Sequence, residues 1–128
     1  EGEHLEYPNG LLVEGNRLIV GSWGKPEADF TTKVPGRLYA LDLKTKEKTL
    51  ITPKPFGNID GLESDGQGGY VVSDYVAGRI LLVSATGESK EVGRYMPGTA
   101  DIGVMRSINT VIVPPMNENK IAAYEVGP

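Results

Sequence analysis

The 128-residue chain has no cysteine and a single histidine, His4. Without thiols there is no disulfide framework, no thiol nucleophile and no zinc–thiolate site. One imidazole leaves no room for a histidine metal cage or a Ser–His–Asp triad, so Ser22 and Ser73 have no base to activate them. Positive charge is not in excess: 13 Lys and Arg against 17 Asp and Glu give a formal net charge of −4. That balance argues against nucleic acid, whose binding rests on cations that neutralise phosphates. No apolar run approaches the roughly 18 residues of a membrane-crossing helix, so neither a nucleic-acid nor a membrane partner is expected. No basic-then-apolar leader opens the chain. The start at Glu1-Gly2-Glu3-His4, without Met, reads as a mature chain or a fragment and leaves the compartment open. A convincing helical period is also missing throughout.

What is present is punctuation. Gly 17 and Pro 9 point to many turns, and 39% hydrophobic with 23% charged residues is ordinary for a globular chain. Leu18-Ile19-Val20 and Tyr70-Val71-Val72 are strand-favouring runs bounded by turn formers such as Glu14-Gly15-Asn16 and Asp65-Gly66-Gln67-Gly68-Gly69. The glycine run Gly66 to Gly69 joins two strands rather than opening a helix, so it is not a phosphate loop. Near-continuous apolar segments such as Leu38 to Leu41 fit strands buried on both faces.

These segments recur. Asn9-Gly10-Leu11, then Arg17 to Trp23, then Gly36 to Asp42 is one pattern. Asp60-Gly61-Leu62, then Gly69 to Tyr75, then Gly78 to Ser84 repeats it, and Asp101-Ile102-Gly103, then Asn109 to Met116, then Asn119 to Glu125 is a weaker third copy. Asn9 and Asp60 are 51 residues apart and Asp60 and Asp101 are 41 apart, the excess falling in a polar insertion from Lys25 to Val34. Such a period, built from strands alone, indicates β-propeller blades. The expected fold is all-β: about three four-stranded blades at 7–57, 58–98 and 99–128, one partial propeller over 1–128, its last blade lacking an outer strand. Propellers typically have about four to eight blades. The rest of the ring is therefore expected from a missing propeller half or from a second copy of the chain.

Residues that head the innermost strands of successive blades converge on the propeller axis, which places Asn9, Asp60 and Asp101 toward one point. Oxygen donors without His or Cys suit a hard cation such as Ca²⁺ or Mg²⁺. Asn-Gly and Asp-Gly are also ordinary turn dipeptides, so a purely structural role in bending the chain into each blade stays open. For Asp101 the structural role is the one favoured.

Pro8-Asn9-Gly10-Leu11 ahead of Leu18-Ile19-Val20, and Ile59-Asp60-Gly61-Leu62 ahead of Tyr70-Val71-Val72-Ser73-Asp74, resemble the senescence-marker/gluconolactonase family, the regucalcin-like lactonases. The resemblance covers the C-terminal half of a family member. It implies a six-bladed propeller with one divalent metal in the central tunnel, Ca²⁺ being the expected ion. It also implies metal ligation by Asn9 and Asp60, with Asp60 as general base. The family's first-blade Glu ligand and its other Asn have no counterpart here, so the chain carries at most half a site. The implied activity is hydrolysis of a small-molecule lactone or related ester.

Trp23, Tyr75 and Met116 occupy equivalent places after the second strand of each repeat. Trp23 and Tyr75 either line the tunnel mouth against substrate or pack between blades, and packing is the favoured reading. The rival to a hydrolase is a non-catalytic propeller scaffold that binds a ligand or protein partner through its loops, chiefly the Lys25 to Val34 insertion. A fold of this kind hosts many functions and does not choose between them.

Overall fold

A computed structural model describes residues 3–126. Beyond three 3-10 turns at Glu3–Leu5, Arg106–Ile108 and Met116–Glu118, all regular structure among the described residues is strand. The chain runs through β1 (Pro8–Glu14) and β2 (Arg17–Ser22) and makes an excursion, β3 (Gly24–Pro26) and β4 (Thr32–Pro35). It returns as β5 (Leu38–Asp42) and β6 (Lys48–Leu50). A second set follows as β7 (Ile59–Ser64), β8 (Tyr70–Asp74), β9 (Arg79–Val83) and β10 (Ser89–Arg94). The third is β11 (Gly103–Met105), β12 (Thr110–Val113) and β13 (Ala122–Glu125).

Each set is an antiparallel meander. The sheet orders are β1-β2-β5-β6, β7-β8-β9-β10 and β11-β12-β13, and β3 pairs with β4 as a separate hairpin. That hairpin is the polar insertion marked by the sequence. Gly15, with a φ of 57°, supplies the left-handed residue that the tight β1–β2 connection needs. The leading strands contact one another in series, β1 with β7 and β7 with β11. This is an all-β arc of propeller blades, as the repeats indicate.

The core lies between the sheets, not within any of them. Ile19 and Leu38 of the first sheet meet Leu62, Val72 and Leu81 of the second. On the opposite face of the second sheet, Val71 and Ile80 meet Ile102, Val111 and Val113 of the third. Side-chain alternation along β8 therefore serves two cores, and every residue from Tyr70 to Asp74 is buried. Burying each such aliphatic side chain stabilises the stack by roughly 1.5–3 kcal/mol.

Backbone bonds fix which residues correspond. The N–H groups of Trp23, Tyr75 and Met116 donate to the carbonyls of Tyr7, Asn58 and Gly98 at 2.8, 3.0 and 3.1 Å. The next residues pair as Pro8 with Ser22, Ile59 with Asp74 and Thr99 with Pro115. Trp23, Tyr75 and Met116 are thus equivalent, as their sequence positions imply. Asp101 is not the equivalent of Asn9 and Asp60; Ala100 is, and Asp101 stands where the second sheet has Gly61. Matching repeats by like side chains slid the third copy by one residue, because its leading segment carries no Asn-Gly or Asp-Gly to anchor the count.

Candidate functional site

Asn9 and Asp60 occupy the same irregularity in successive inner strands. In the first sheet Pro8 faces Ser22 and Gly10 faces Gly21, so Asn9 is an extra residue. In the second, Ile59 faces Asp74 and Leu62 faces Val72, leaving Asp60 and Gly61 against Ser73 alone. A bulge re-aims the side chain it carries and is over-represented beside functional sites. Neither residue sits at a chain reversal; both lie inside strands.

The following glycines have another purpose. Neither Gly10 nor Gly61 takes a positive φ. A Cβ on Gly10 would stand 2.6 Å from the Asp60 carbonyl oxygen, and one on Gly61 would stand 2.6 Å from the Ile102 nitrogen. The glycines let consecutive inner strands approach, and this approach brings the candidate side chains toward one region. Ser73 stitches the second bulge in place: its hydroxyl accepts from the Gly61 N–H at 2.7 Å and donates to the Ala100 carbonyl at 2.6 Å. The sequence offers Ser73 no histidine partner and gives no sign of this bridging role.

The Asn9 side chain is exposed, and its Nδ2 donates to the Ile59 carbonyl at 3.1 Å, next to Asp60. Its amide oxygen lies outside that bond. Asp60 is half-buried, and burial pushes its carboxyl above the ordinary value of 3.8, with the negative charge of Asp101 pushing the same way. Among the described residues no cation forms a salt bridge with Asp60. Asp101 itself is exposed, and its Oδ1 accepts from the Ile102 N–H at 3.0 Å. The three oxygen-bearing side chains are thus grouped along the inner strands, although Asp101 reaches the group from a shifted position.

Trp23 and Tyr75 are half-buried neighbours, with ring centroids 5.6 Å apart and planes at 47°. They join the ends of adjacent sheets. Trp23 has a second contact surface: it lines a cleft of about 300 Å³ with Tyr7, Pro8, Asn9, Pro26 and Phe30. The indole N–H donates to the Phe30 carbonyl at 3.0 Å, and Asn58 Nδ2 ties the hairpin down through the Trp23 carbonyl and Thr32 hydroxyl at 2.7 and 2.8 Å. Phe30 belongs to the Lys25 to Val34 insertion expected as a contact loop, whereas nothing in a lone Asn marks Asn58 as the anchor of that hairpin. The cleft therefore puts an aromatic surface directly beside Asn9.

Among the described residues there is no group of three or more His, Cys, Asp or Glu side chains placed to hold a metal ion. Asp60, Asp101 and Asn9 bring two carboxylates and one amide oxygen to the leading segments of the sheets.

Solved structures with the same architecture support the fold. A computationally designed protein, Ika4, matches with a TM-score of 0.65 at 13% identity, over 94% of this chain and 66% of its own. A gluconolactonase from Xanthomonas campestris matches with a TM-score of 0.61 at 14% identity, over 84% of this chain and 34% of its own. Virginiamycin B lyase from Staphylococcus aureus matches with a TM-score of 0.55 at 17% identity, over 96% of this chain and 42% of its own. The chain thus spans less than two thirds of each. No family model matches the sequence. No curated protein matches it either.

Proposed function

We propose that this arc carries part of a divalent-cation site of a lactonase-like propeller hydrolase, acting on a small sugar lactone or related ester. The observation that supports this most directly is the placement of Asn9 and Asp60 in matching bulges of consecutive inner strands, with Asp60 half-buried, pushed up further by the charge of Asp101 and without a salt-bridging cation among the described residues. Two carboxylates that raise one another's proton affinity are a fitting donor pair for a hard cation, and oxygen-only donors favour Ca²⁺. Asn9 and Asp60 would hold the ion, with Asp101 beside them. Since Ca²⁺ takes six to eight oxygens, the remaining donors come from water and from sheets outside this arc. The cation, when bound, supplies Lewis acidity that polarises the lactone carbonyl. Asp60 accepts a proton from the attacking water, and the Trp23 ring beside Asn9 forms an apolar wall for the substrate's carbon skeleton. A gluconolactonase among the structures of like fold is compatible with this chemistry.

Calorimetric titration with Ca²⁺ and with Mg²⁺ tests the proposal. Heat of binding is expected for the wild type, larger affinity for Ca²⁺, no heat for Asp60→Asn, and about tenfold weaker binding for Asn9→Ala, the loss of one ligand being worth roughly 1.4 kcal/mol. Equal heats for the wild type and Asp60→Asn remove the cation site. In that event the exposed Phe30 on the β3–β4 hairpin, beside the Trp23 cleft, favours the second reading: a scaffold that binds a ligand or partner through this loop.

A further inference from the structure

We infer that Ser73 is a positioning residue whose single hydroxyl fixes the spacing between the Asp60 and Asp101 carboxylates. The reason for fixing that spacing rests on the cation site proposed above; the clamp itself does not. Ser73 is fully buried, and its hydroxyl accepts from the Gly61 N–H at 2.7 Å and donates to the Ala100 carbonyl at 2.6 Å. The Gly61 nitrogen belongs to the peptide bond that follows Asp60, and the Ala100 carbonyl to the one that precedes Asp101. One oxygen therefore joins the two backbone units next to the two carboxylates. Asp60 is pinned on its other side as well, because Asn9 Nδ2 donates at 3.1 Å to the Ile59 carbonyl, in the peptide bond ahead of Asp60. Gly61 lets the third sheet close on this clamp: a Cβ there would stand 2.6 Å from the Ile102 nitrogen and 2.9 Å from Ser73 Oγ.

Like charges at short range push each other apart, and the charge of Asp101 does act on Asp60. A bridge between their adjoining peptides opposes that separation. The corresponding residues of the other sheets, Gly21 and Pro114, each stand one place before the partner of the leading segment, as Ser73 does. Neither carries a hydroxyl, and a Cβ on Gly21 would stand 2.3 Å from Ile59 Cγ2. The clamp is thus found at the junction where two carboxylates meet. Donors already held at their spacing need not be ordered when a cation arrives, and this pre-organisation favours binding. Ser22 gives an internal comparison. It is equally buried, and its hydroxyl also joins one carbonyl and one N–H, but both belong to Arg37, at 3.2 and 2.9 Å.

A double-mutant cycle read by urea unfolding at pH 7, in chelator, tests the clamp without a cation. Asp101→Asn relieves the repulsion and should raise the wild-type urea midpoint. In a Ser73→Ala background, whose carboxylates can part, the same change should give about half that gain or less, and in a Ser22→Ala background the full gain. Ser73→Cys, which fills the volume but hydrogen-bonds weakly, should behave like Ser73→Ala, whereas Ser73→Thr keeps the hydroxyl and should return the full gain. Calcium calorimetry should show affinity about tenfold weaker for Ser73→Ala and unchanged for Ser22→Ala. Equal gains from Asp101→Asn in the wild-type, Ser73→Ala and Ser73→Cys backgrounds would overturn the inference, as would a folded Ser73→Thr protein that behaves like Ser73→Ala. The expected cycle without any calcium heat from the wild type would remove the cation site and leave the clamp standing.

Discussion

The first and second sheets solve one electrostatic problem in different ways. Each has an arginine at the start of its third strand, Arg37 just ahead of β5 and Arg79 as the first residue of β9, and both guanidinium groups also donate to a carbonyl of the β6–β7 connection, Pro53 at 3.0 Å and Phe56 at 2.6 Å. In the second sheet the acid is Asp74 at the end of β8, with Arg79 Nε and Nη2 on its Oδ2 at 3.0 and 2.8 Å. Its Oδ1 accepts from the Asn58 and Ala77 N–H groups. In the first sheet that place is Ser22, and the acid comes instead from Glu6 in the segment ahead of β1, 2.8 Å from Arg37 and 3.1 Å from Lys48. The counterpart of Glu6 is Gly57, where a Cβ would stand 2.8 Å from Asp74 Oδ2. Only one of the two positions is filled by an acid in each sheet. The third sheet uses a local pair, Lys120 with Glu118. A charge pair at this corner is kept while its residues change, so the position, rather than the side chain, is what the repeat preserves.

The two solutions differ in depth. Asp74 is 2% exposed, and removing one partner of a buried, hydrogen-bonded pair typically costs about 3–5 kcal/mol. Asp74→Ala should show a loss of that order in urea unfolding, because it takes the acceptor from two backbone N–H groups and leaves Arg79 only the Phe56 carbonyl and Glu91. Glu6 is partly solvated, and Glu6→Gln should cost only about 1 kcal/mol. Its pH dependence is distinctive. Burial pushes the Glu6 carboxyl up, but hydrogen bonds from Arg37 and Lys48 outweigh it and hold the group below its ordinary 4.5. The native state therefore binds fewer protons than the unfolded chain at this residue. The stability it contributes is present above pH 4.5 and lost as the pH falls through the lowered value. Urea midpoints measured from pH 3 to 7 should converge for wild type and Glu6→Gln at the acid end. Parallel curves would show that Glu6 acts through packing alone.

Most of the architecture was readable because propeller repeats write their period in strand and turn residues, each sheet requiring the same Gly-flanked apolar runs. The arc, its β-only content and the short final sheet follow from that pattern. The off-by-one position of Asp101 did not, since register is set by backbone bonds such as Met116 to Gly98 and no side chain records them. Nor could Asn9-Gly10 and Asp60-Gly61 be told from turns: the same glycine answers to a left-handed φ or to the approach of a neighbouring strand. Asn58 and Ser73 were invisible as positioning residues because their partners, Thr32 and Ala100, are distant in sequence and joined only by the stacking of sheets.

The smallest effect separates the inner strands from the outer corner by sign. Asp60 is held above its ordinary 3.8 by burial and by Asp101, the reverse of Glu6. Its native state binds more protons than the unfolded chain, so stability falls as the pH rises from 3.8 through the raised value, and ionised Asp60 is a burden at neutral pH. Asp60→Asn should therefore stabilise the protein at pH 7 by less than about 1 kcal/mol, water screening a half-exposed group. The gain should vanish toward pH 3, where both forms are neutral. Millimolar Ca²⁺ at pH 7 should erase the difference by stabilising the wild type, because a ligand that binds only the folded state adds its binding free energy to folding. A destabilised Asp60→Asn at pH 7 without added cation would mean that the carboxylate supports the bulge rather than waiting for a counter-charge, and the inner strands would then follow the same rule as the Arg–acid corners.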